Sequence, residues 1–297
     1  MVAEADKIKI AVVGGDERQI YCAKHLSDKG FEVALFGFEK YDGDIGLCTR
    51  CIDISDALSK TRAIVLPMPT TSSDGSVFMP FSEKVLSVES ICRHSEKDAV
   101  ILAGNPGGFV ADCLQKYGFE AVNYFDREEL LVANAYLTAE SALAIAINSS
   151  KTSLISKPVL VIGYGRIGKI LCHILKAMGV NVYASARKNK DFAWIRAFGY
   201  TPVNTENICE IISDCGLVFN TVPNLVLDEK SLCCLPEECL IIDLASKPGG
   251  VDFESAKNLG LKVIWALALP GKFKCASAGK IVADTVISIL EDMEVIQ

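Results

Sequence analysis

Short apolar, β-branched runs alternate with helical patterns from one end of this chain to the other, and that beat admits few folds. Ile8–Val13, Glu32–Phe36, Ala63–Leu66, Ala99–Ala103 and Glu120–Asn123 read as strands, with helical stretches at Gln19–Lys29, Glu83–Cys92 and Phe109–Tyr117. Strands that are apolar throughout, rather than at every second residue, must be buried on both faces. Helices between them supply the cover, so the pattern implies parallel sheets. A long helical pattern without Pro or Gly, Glu128–Asn148, leads into a polar connection at Ser149–Ser153. The beat then resumes at Pro158–Ile162, Asn181–Ser185, Leu217–Asn220, Leu240–Leu244 and Lys262–Ala266, and closes on a helical pattern at Ser277–Glu291.

At about 100–200 residues per domain, 297 residues make two. The expected fold class is α/β: two Rossmann-like or flavodoxin-like doubly wound parallel-sheet domains joined by a long helix. The expected division is an N-terminal flavodoxin-like substrate domain over 1–127, a bridging helix and connection over 128–153, a Rossmann domain over 154–276, and a terminal helix over 277–297 that packs back on the first domain. Such a bridging helix would line a cleft between the domains.

Charge narrows the partners. Lys+Arg 30 against Asp+Glu 37 leaves a net charge of −7, whereas binding a phosphate backbone needs a positive excess. A small molecule or another protein is therefore expected, and no nucleic acid. Half the residues are apolar, which excludes disorder. The longest unbroken apolar runs, Ala99–Ala103, Val159–Ile162 and Val263–Pro270, are too short to cross a bilayer, so no membrane is expected. The start, Met1–Lys7, has no apolar signal core, so the 12 cysteines are expected in a reducing cytoplasm. Cys48 and Cys51, with only His25, His94 and His173 as further soft ligands, fall short of a zinc set, and no metal is expected. Cys22, Cys113 and Cys172 sit in helical apolar patterns and read as small core residues.

The clearest chemical signal follows the strand Val159–Ile162. Gly163, Tyr164, Gly165, Arg166, Ile167 and Gly168 form a GxGxxG that opens a helix. The first glycine allows the tight turn, the second lets the backbone approach a pyrophosphate, and the third permits close helix–strand packing, while the helix N-terminus supplies amide donors. An NAD site wants an acid about 20 residues on to bind the ribose hydroxyls. Here the next strand ends without one, and Ser185, Arg187 and Lys188 stand in its place. A hydroxyl and an Arg fork match a 2′-phosphate, so NADP is expected rather than NAD. The loops after later strands should frame the rest of the cofactor: Asn220, Thr221, Val222 and Pro223, then Asp243, Leu244, Ala245, Ser246 and Lys247, then Leu269–Lys272.

This nucleotide half looks like that of the 2-hydroxyacid dehydrogenases, whose pattern implies an Arg after the fifth strand and a His after the sixth. Ser246-Lys247 and Leu269–Lys272 stand there instead, and no histidine follows His173. Ordinary keto-acid reduction is therefore not expected.

Over nearly its whole length the chain resembles the A-subunit family of dipicolinate synthase. The resemblance is carried by Ile10–Gln19 with its GGDERQ start, Leu66-Pro-Met-Pro69, Gly104-Asn-Pro-Gly107, Leu137-Thr-Ala-Glu140, Asp243–Ser246 with Pro248-Gly-Gly250, and Leu269–Lys272. The chain departs from the pattern at Ser141, where a Gly is expected, and at Phe273–Ala276, which replaces a Pro-containing run. The resemblance implies NADP-dependent dehydrogenation of a dihydro- or hydroxytetrahydro-dipicolinate to dipicolinate, in the mother cell of a sporulating bacterium. It also implies a flavoprotein-like B subunit of the same synthase for a partner; a homo-oligomer is expected as well. On that reading Arg18, Gln19 and Lys272 hold the carboxylates of the substrate, Lys247 or Ser246 assists, and Glu140 orients. A surface ion pair is the alternative for Arg18 and Glu140. Asp16 is either a substrate contact or a helix cap. Asp243 either accepts the substrate proton or merely bonds loop amides. Two other functions remain open: a non-catalytic NADP-binding subunit serving the flavoprotein, and an NADP-dependent reductase of another small acid.

Overall fold

The computed structural model describes residues 7–296; the acidic start read at Met1–Asp6, and Gln297, lie outside the described residues. The chain divides into two compact units, one made of residues up to Asn134 together with those from Lys274 onward, the other of Ala135–Phe273.

The first part of unit 1 runs β1 (Lys9–Val13), α1 (Glu17–Asp28), β2 (Glu32–Phe36), β3 (Thr49–Arg50), α2 (Ile54–Leu58), β4 (Ala63–Val65), α3 (Val88–His94), β5 (Val100–Ala103), α4 (Gly107–Lys116) and β6 (Ala121–Asn123). Its strands pair in parallel in the order β3-β2-β1-β4-β5-β6. Alternation along a strand decides which layer each side chain joins. Ile10 and Val12 face one core, with Ile20 and Leu26 of α1, while Ala11 and Val13 face the other, with Ile91 and Leu114 of the opposite helices. The expected helix at Glu83–Cys92 starts only at Val88, because Ser87 caps it, its hydroxyl accepting from Ser90 N at 3.1 Å.

Next comes α5 (Glu128–Ser149), whose residues from Ala135 onward count with unit 2. By length and composition it could cross a membrane, a property that unbroken apolar runs do not reveal. Its Ala139, Ala142, Leu143 and Ala146 are buried in the core of unit 2.

Unit 2 continues with β7 (Val159–Ile162), α6 (Arg166–Ala177), β8 (Val182–Ala186), α7 (Asn189–Ala197), β9 (Thr201–Asn204), two 3-10 segments at Thr205–Glu210 and Ile212–Asp214, β10 (Leu217–Asn220), α8 (Glu229–Leu232), β11 (Leu240–Asp243), α9 (Phe253–Asn258), β12 (Lys262–Trp265) and α10 (Leu269–Phe273). Its sheet is again six-stranded and parallel, in the order β12-β11-β10-β7-β8-β9. Both units are thus doubly wound α/β, the expected fold class. Leu269–Lys272, read as a loop, is most of a short helix.

The chain closes with α11 (Cys275–Asp292), which lies on α1 inside unit 1. The approach is close: a Cβ on Gly279 would lie 2.4 Å from Arg18 O and 2.8 Å from Cys22 N. Ala278, Val282, Ala283 and Val286 fill the seam, and His25 Nε2 meets Asp284 Oδ1 at 2.8 Å. Replacing Gly279 by Val should force the helices apart, lowering stability by about 1–3 kcal/mol. A chemical-denaturation curve of the variant beside the unaltered chain measures it.

Candidate functional site

At the carboxyl edge of unit 2 the three glycines of the turn differ in their surroundings. Gly163 has φ +94°, and a Cβ there would lie 2.4 Å from Thr221 Oγ1. Gly168 packs so tightly that a Cβ would sit 2.0 Å from Gly163 O. Gly165 faces open space, with nothing within 4 Å of a Cβ. It is the N-cap of α6 and supplies no side-chain cap, and the first turn holds no acid. The leading amides of α6 are therefore open to an anion, and the residues present fit a dinucleotide pyrophosphate. Arg166 is exposed and Ile167 half-buried, whereas Tyr164 packs into the core, its hydroxyl pushed up to about 12 by burial, so it offers a ligand only its backbone.

Three polar residues expected to face the cofactor are braces instead. Ser185 is fully buried and its hydroxyl shares a 2.7 Å hydrogen bond with Thr205 Oγ1, tying β8 to the 3-10 segment; it is not free for a phosphate. Asn220 and Asp243 are both 0% exposed. Asn220 Nδ2 donates to Val222 O at 3.0 Å and to Asp243 Oδ1 at 2.8 Å, and its Oδ1 accepts from Val222 N at 3.1 Å. Asp243 also accepts from Ala245 N at 3.0 Å and Gly250 N at 2.9 Å. A fully buried carboxylate with these three donors holds loops together, as the loop-amide alternative has it. Thr221 folds its hydroxyl back onto Ile162 O at 2.9 Å, while Leu244 and Ala245 are buried.

Arg187 and Lys188 are exposed just past β8. Arg187 lines an open cleft with Thr205, Glu206, Leu225, Asp228 and Ser231 among its other walls. Glu206 and Asp228 escaped the sequence reading, since β9 is an edge strand with little apolar signal. Asp228 is committed to capping α8, accepting from Ser231 N at 2.9 Å and Ser231 Oγ at 2.7 Å, which holds its carboxyl below the usual range. Ser246 and Lys247 are exposed after β11, and Lys272 is exposed on α10 after the neighbouring β12.

Unit 1 holds a second candidate, a shallow cleft lined by Asp16, Arg18, Gln19, Met68, Tyr124 and Asn134 among others. Asp16 caps α1, accepting from Arg18 N at 3.1 Å, and also grips the Arg18 guanidinium, with Nε and Nη2 each at 2.8 Å. Arg18 Nη2 also donates to Met68 O at 2.7 Å, which leaves Nη1 without a hydrogen bond among the described residues. Burial works against the charge of Arg18, but the Asp16 bonds more than offset it, and its pKa lies above the ordinary value. Asp16 is thus the partner of Arg18 rather than a contact for an anionic substrate. Gln19 is buried, and its Nε2 donates to Leu66 O at 3.0 Å, an oxygen that also accepts from Tyr124 OH at 3.0 Å. One of the two N–H donors of that amide is thus engaged by the backbone. Glu140 is exposed on the part of α5 that counts with unit 2, whereas Arg18 belongs to unit 1. No group of three or more His, Cys, Asp or Glu that could hold a metal occurs among the described residues.

Sheet and turn together define a dinucleotide-binding domain of the NAD(P)-dependent dehydrogenases, and residues 134–245 match the D-isomer specific 2-hydroxyacid dehydrogenase NAD-binding domain. Residues 9–125 match the N-terminal domain of the dipicolinate synthase A subunit. The chain is 29% identical over 288 residues, 97% of each chain, to the dipicolinate synthase A subunit of Bacillus subtilis (strain 168). The crystal structure of dipicolinate synthase, A chain, from Bacillus subtilis superposes with a TM-score of 0.87 at 28% identity, covering 99% of both chains. That of the dipicolinate synthase A subunit from Bacillus halodurans gives 0.84 at 29%, covering 95% of this chain and 97% of the other. The resemblance to the A-subunit family of dipicolinate synthase is thereby borne out.

The bracing role of Asp243 has a direct test. Asp243→Ala would leave two loop amides and the Asn220 amide without their acceptor in a buried place, lowering the stability of unit 2 by about 3 kcal/mol or more. Both tryptophans, Trp194 and Trp265, lie in unit 2, so their fluorescence during urea unfolding reads this loss.

Proposed function

We propose that the chain is the NADP-binding A subunit of a dipicolinate synthase and dehydrogenates dihydrodipicolinate, or the hydroxytetrahydro form with loss of its ring hydroxyl as water, to aromatic pyridine-2,6-dicarboxylate. The observation that carries the reading is the open Gly165 turn with its uncapped α6 amides, beside the exposed Arg187 and Lys188. The amides hold the pyrophosphate, and the Arg187 fork with the Lys188 ammonium takes the 2′-phosphate. No acid stands at the end of β8; Glu206, across the cleft from Arg187, is the carboxylate that would serve the ribose hydroxyls of NAD instead. When bound, the nicotinamide supplies the hydride acceptor, and aromatisation of the substrate ring makes the transfer downhill.

The remaining steps fall to side chains. Arg18, through Nη1 and held rigid by Asp16, is the anion-holding group of unit 1, and the ammonium groups of Lys247 and Lys272 are those of unit 2. Ser246 assists beside Lys247, and Glu140 orients. The setting that fits is the mother-cell cytoplasm of a sporulating bacterium, with the chain a homo-oligomer and its partner the flavoprotein-like B subunit of the synthase. Two observations favour a second reading, in which the chain is non-catalytic and positions substrate for the flavoprotein: Asp243 is buried among three donors, and no histidine follows His173. Purified chain mixed with NADP and enzymatically generated dihydrodipicolinate separates the two. Nicotinamide reduction without partner is the expected outcome; aromatic product only on adding the flavoprotein would establish the second.

Two substitutions test the site. Arg187→Asp should weaken NADP binding by about 1–3 kcal/mol, the worth of a charge-assisted contact, while NAD binding holds or improves; titration calorimetry with each nucleotide measures it. Equal affinity of the unaltered chain for NAD and NADP would sink the preference. Lys272→Ala should raise KM for the dicarboxylate about tenfold, close to the worth of one such contact. Unchanged substrate saturation in steady-state assays would remove Lys272 from the carboxylate site.

A further inference from the structure

Two short motifs of unit 1, Leu66-Pro-Met-Pro69 at the carboxyl end of β4 and Gly104-Asn-Pro-Gly107 at that of β5, meet close to Arg18. Leu66 is fully buried, and its carbonyl accepts from Gln19 Nε2 and from Tyr124 OH, each at 3.0 Å. Both lone pairs of that oxygen are thereby engaged. Thr70 Oγ1, 3.2 Å from Pro67 O and 3.1 Å from Gly104 O, ties the two motifs together. Gly104 leaves the room this needs, since a Cβ there would lie 2.3 Å from Tyr124 OH and 2.6 Å from Met68 Cβ. Pro67, whose ring limits φ, passes the constraint on to Met68, whose carbonyl accepts from Arg18 Nη2 at 2.7 Å. Asp16 stands two residues from Arg18 at the same helix start, so that pair alone gives the guanidinium no reference to the sheet. Met68 O does. The guanidinium is planar, so holding Nε and Nη2 also sets the direction of Nη1.

We infer that Tyr124 and Gln19 are positioning residues for the dicarboxylate: their two donors on Leu66 O seat the Leu66–Met68 segment, and Met68 O then aims Arg18 Nη1 at a carboxylate. The inference rests on reading Arg18 as the anion-holding group of unit 1. Tyr124 is 0% exposed, and burial pushes the pKa of its hydroxyl up, so the hydroxyl keeps its proton and remains a donor. That proton is given to Leu66 O, and the effect on the ligand runs through Arg18. Without the hydroxyl, Leu66 O keeps only the Gln19 bond and the segment loosens. Arg18 then retains Asp16, so its charge stays in the cleft while its direction is lost. An arriving carboxylate has to restore that order, which costs affinity.

Tyr124→Phe keeps the ring and removes only the hydroxyl. Titration calorimetry of the full-length variant with pyridine-2,6-dicarboxylate should give a dissociation constant about fivefold higher, a change of about 1 kcal/mol. Arg18→Ala should raise the constant about tenfold or more. In the Arg18→Ala background Tyr124→Phe should add nothing further, a non-additivity that a hydroxyl serving stability alone would not produce. Gln19→Met, similar in length and without the donor, tests the same carbonyl from α1 and should behave alike in both backgrounds. It carries the test if urea unfolding shows Tyr124→Phe to be unfolded. Unchanged affinity in Tyr124→Phe and Gln19→Met beside a raised constant in Arg18→Ala, or full additivity with Arg18→Ala, would overturn the inference and leave the role of Arg18 standing. Unchanged affinity in Arg18→Ala would overturn that role, and the inference falls with it.

Discussion

A carboxylate with no exposure must find its hydrogen bonds inside the protein, and the carboxyl edge of unit 2 is arranged around that requirement at Asp243. Its partners come from three places: the Asn220 side chain at the end of β10, Ala245 N just past β11, and Gly250 N at the far end of the same loop. Asn220 in turn shapes the turn at Val222, and Trp265 on β12 donates its indole N–H to Ala245 O at 3.0 Å. Removing any one donor would leave a buried charge undersatisfied, a costly state that keeps the geometry unique. The exposed groups Ser246 and Lys247 therefore sit on a loop clamped at both ends.

The two units share a strand order yet use their first βα turn in opposite ways. In unit 1 the turn at Gly14 and Gly15 is covered by the protein itself: Gly15 N donates to Phe78 O at 2.7 Å, and Met79 Cγ lies 2.6 Å from where a Cβ on Gly14 would stand. Asp16 then caps α1 with its own carboxylate. The amides that could have met a phosphate are spent on backbone and side chain. In unit 2 the corresponding turn is uncovered at Gly165, and α6 has no cap. What separates a nucleotide domain from its look-alike here is the cover over one turn, since the sheets differ little.

Most of the fold was legible because buried parallel strands write themselves as unbroken apolar runs; Glu32–Phe36 and Leu217–Asn220 match residue for residue. Two of the four edge strands, β3 and β9, were not. Thr49–Arg50 is two exposed residues, and Thr201–Asn204 carries a proline, which an edge tolerates. In the site, the glycine spacing could be read because its geometry is local. Ser185, Asn220 and Asp243 were misplaced because a polar residue near a strand end looks the same whether it faces a ligand or braces a loop. Their partners lie far along the chain, Thr205 for Ser185 and Asp243 for Asn220, and only folding brings them together. Glu206 carried no signal, since nothing near it announces that the 3-10 segment will stand beside Arg187.

Because α11 belongs to unit 1, the second unit is an insertion within the first. The face of the first sheet that holds Ile10, Val12 and Val33 also takes Val282, Val286, Ile289 and Leu290 from α11. A ribosome delivers those residues last, after every strand of unit 2. Domains generally fold as units, N-terminal first, as they emerge, but here the order inverts. Unit 2 has its complete sequence while unit 1 still lacks a wall, so the half of the protein made first is the half finished last.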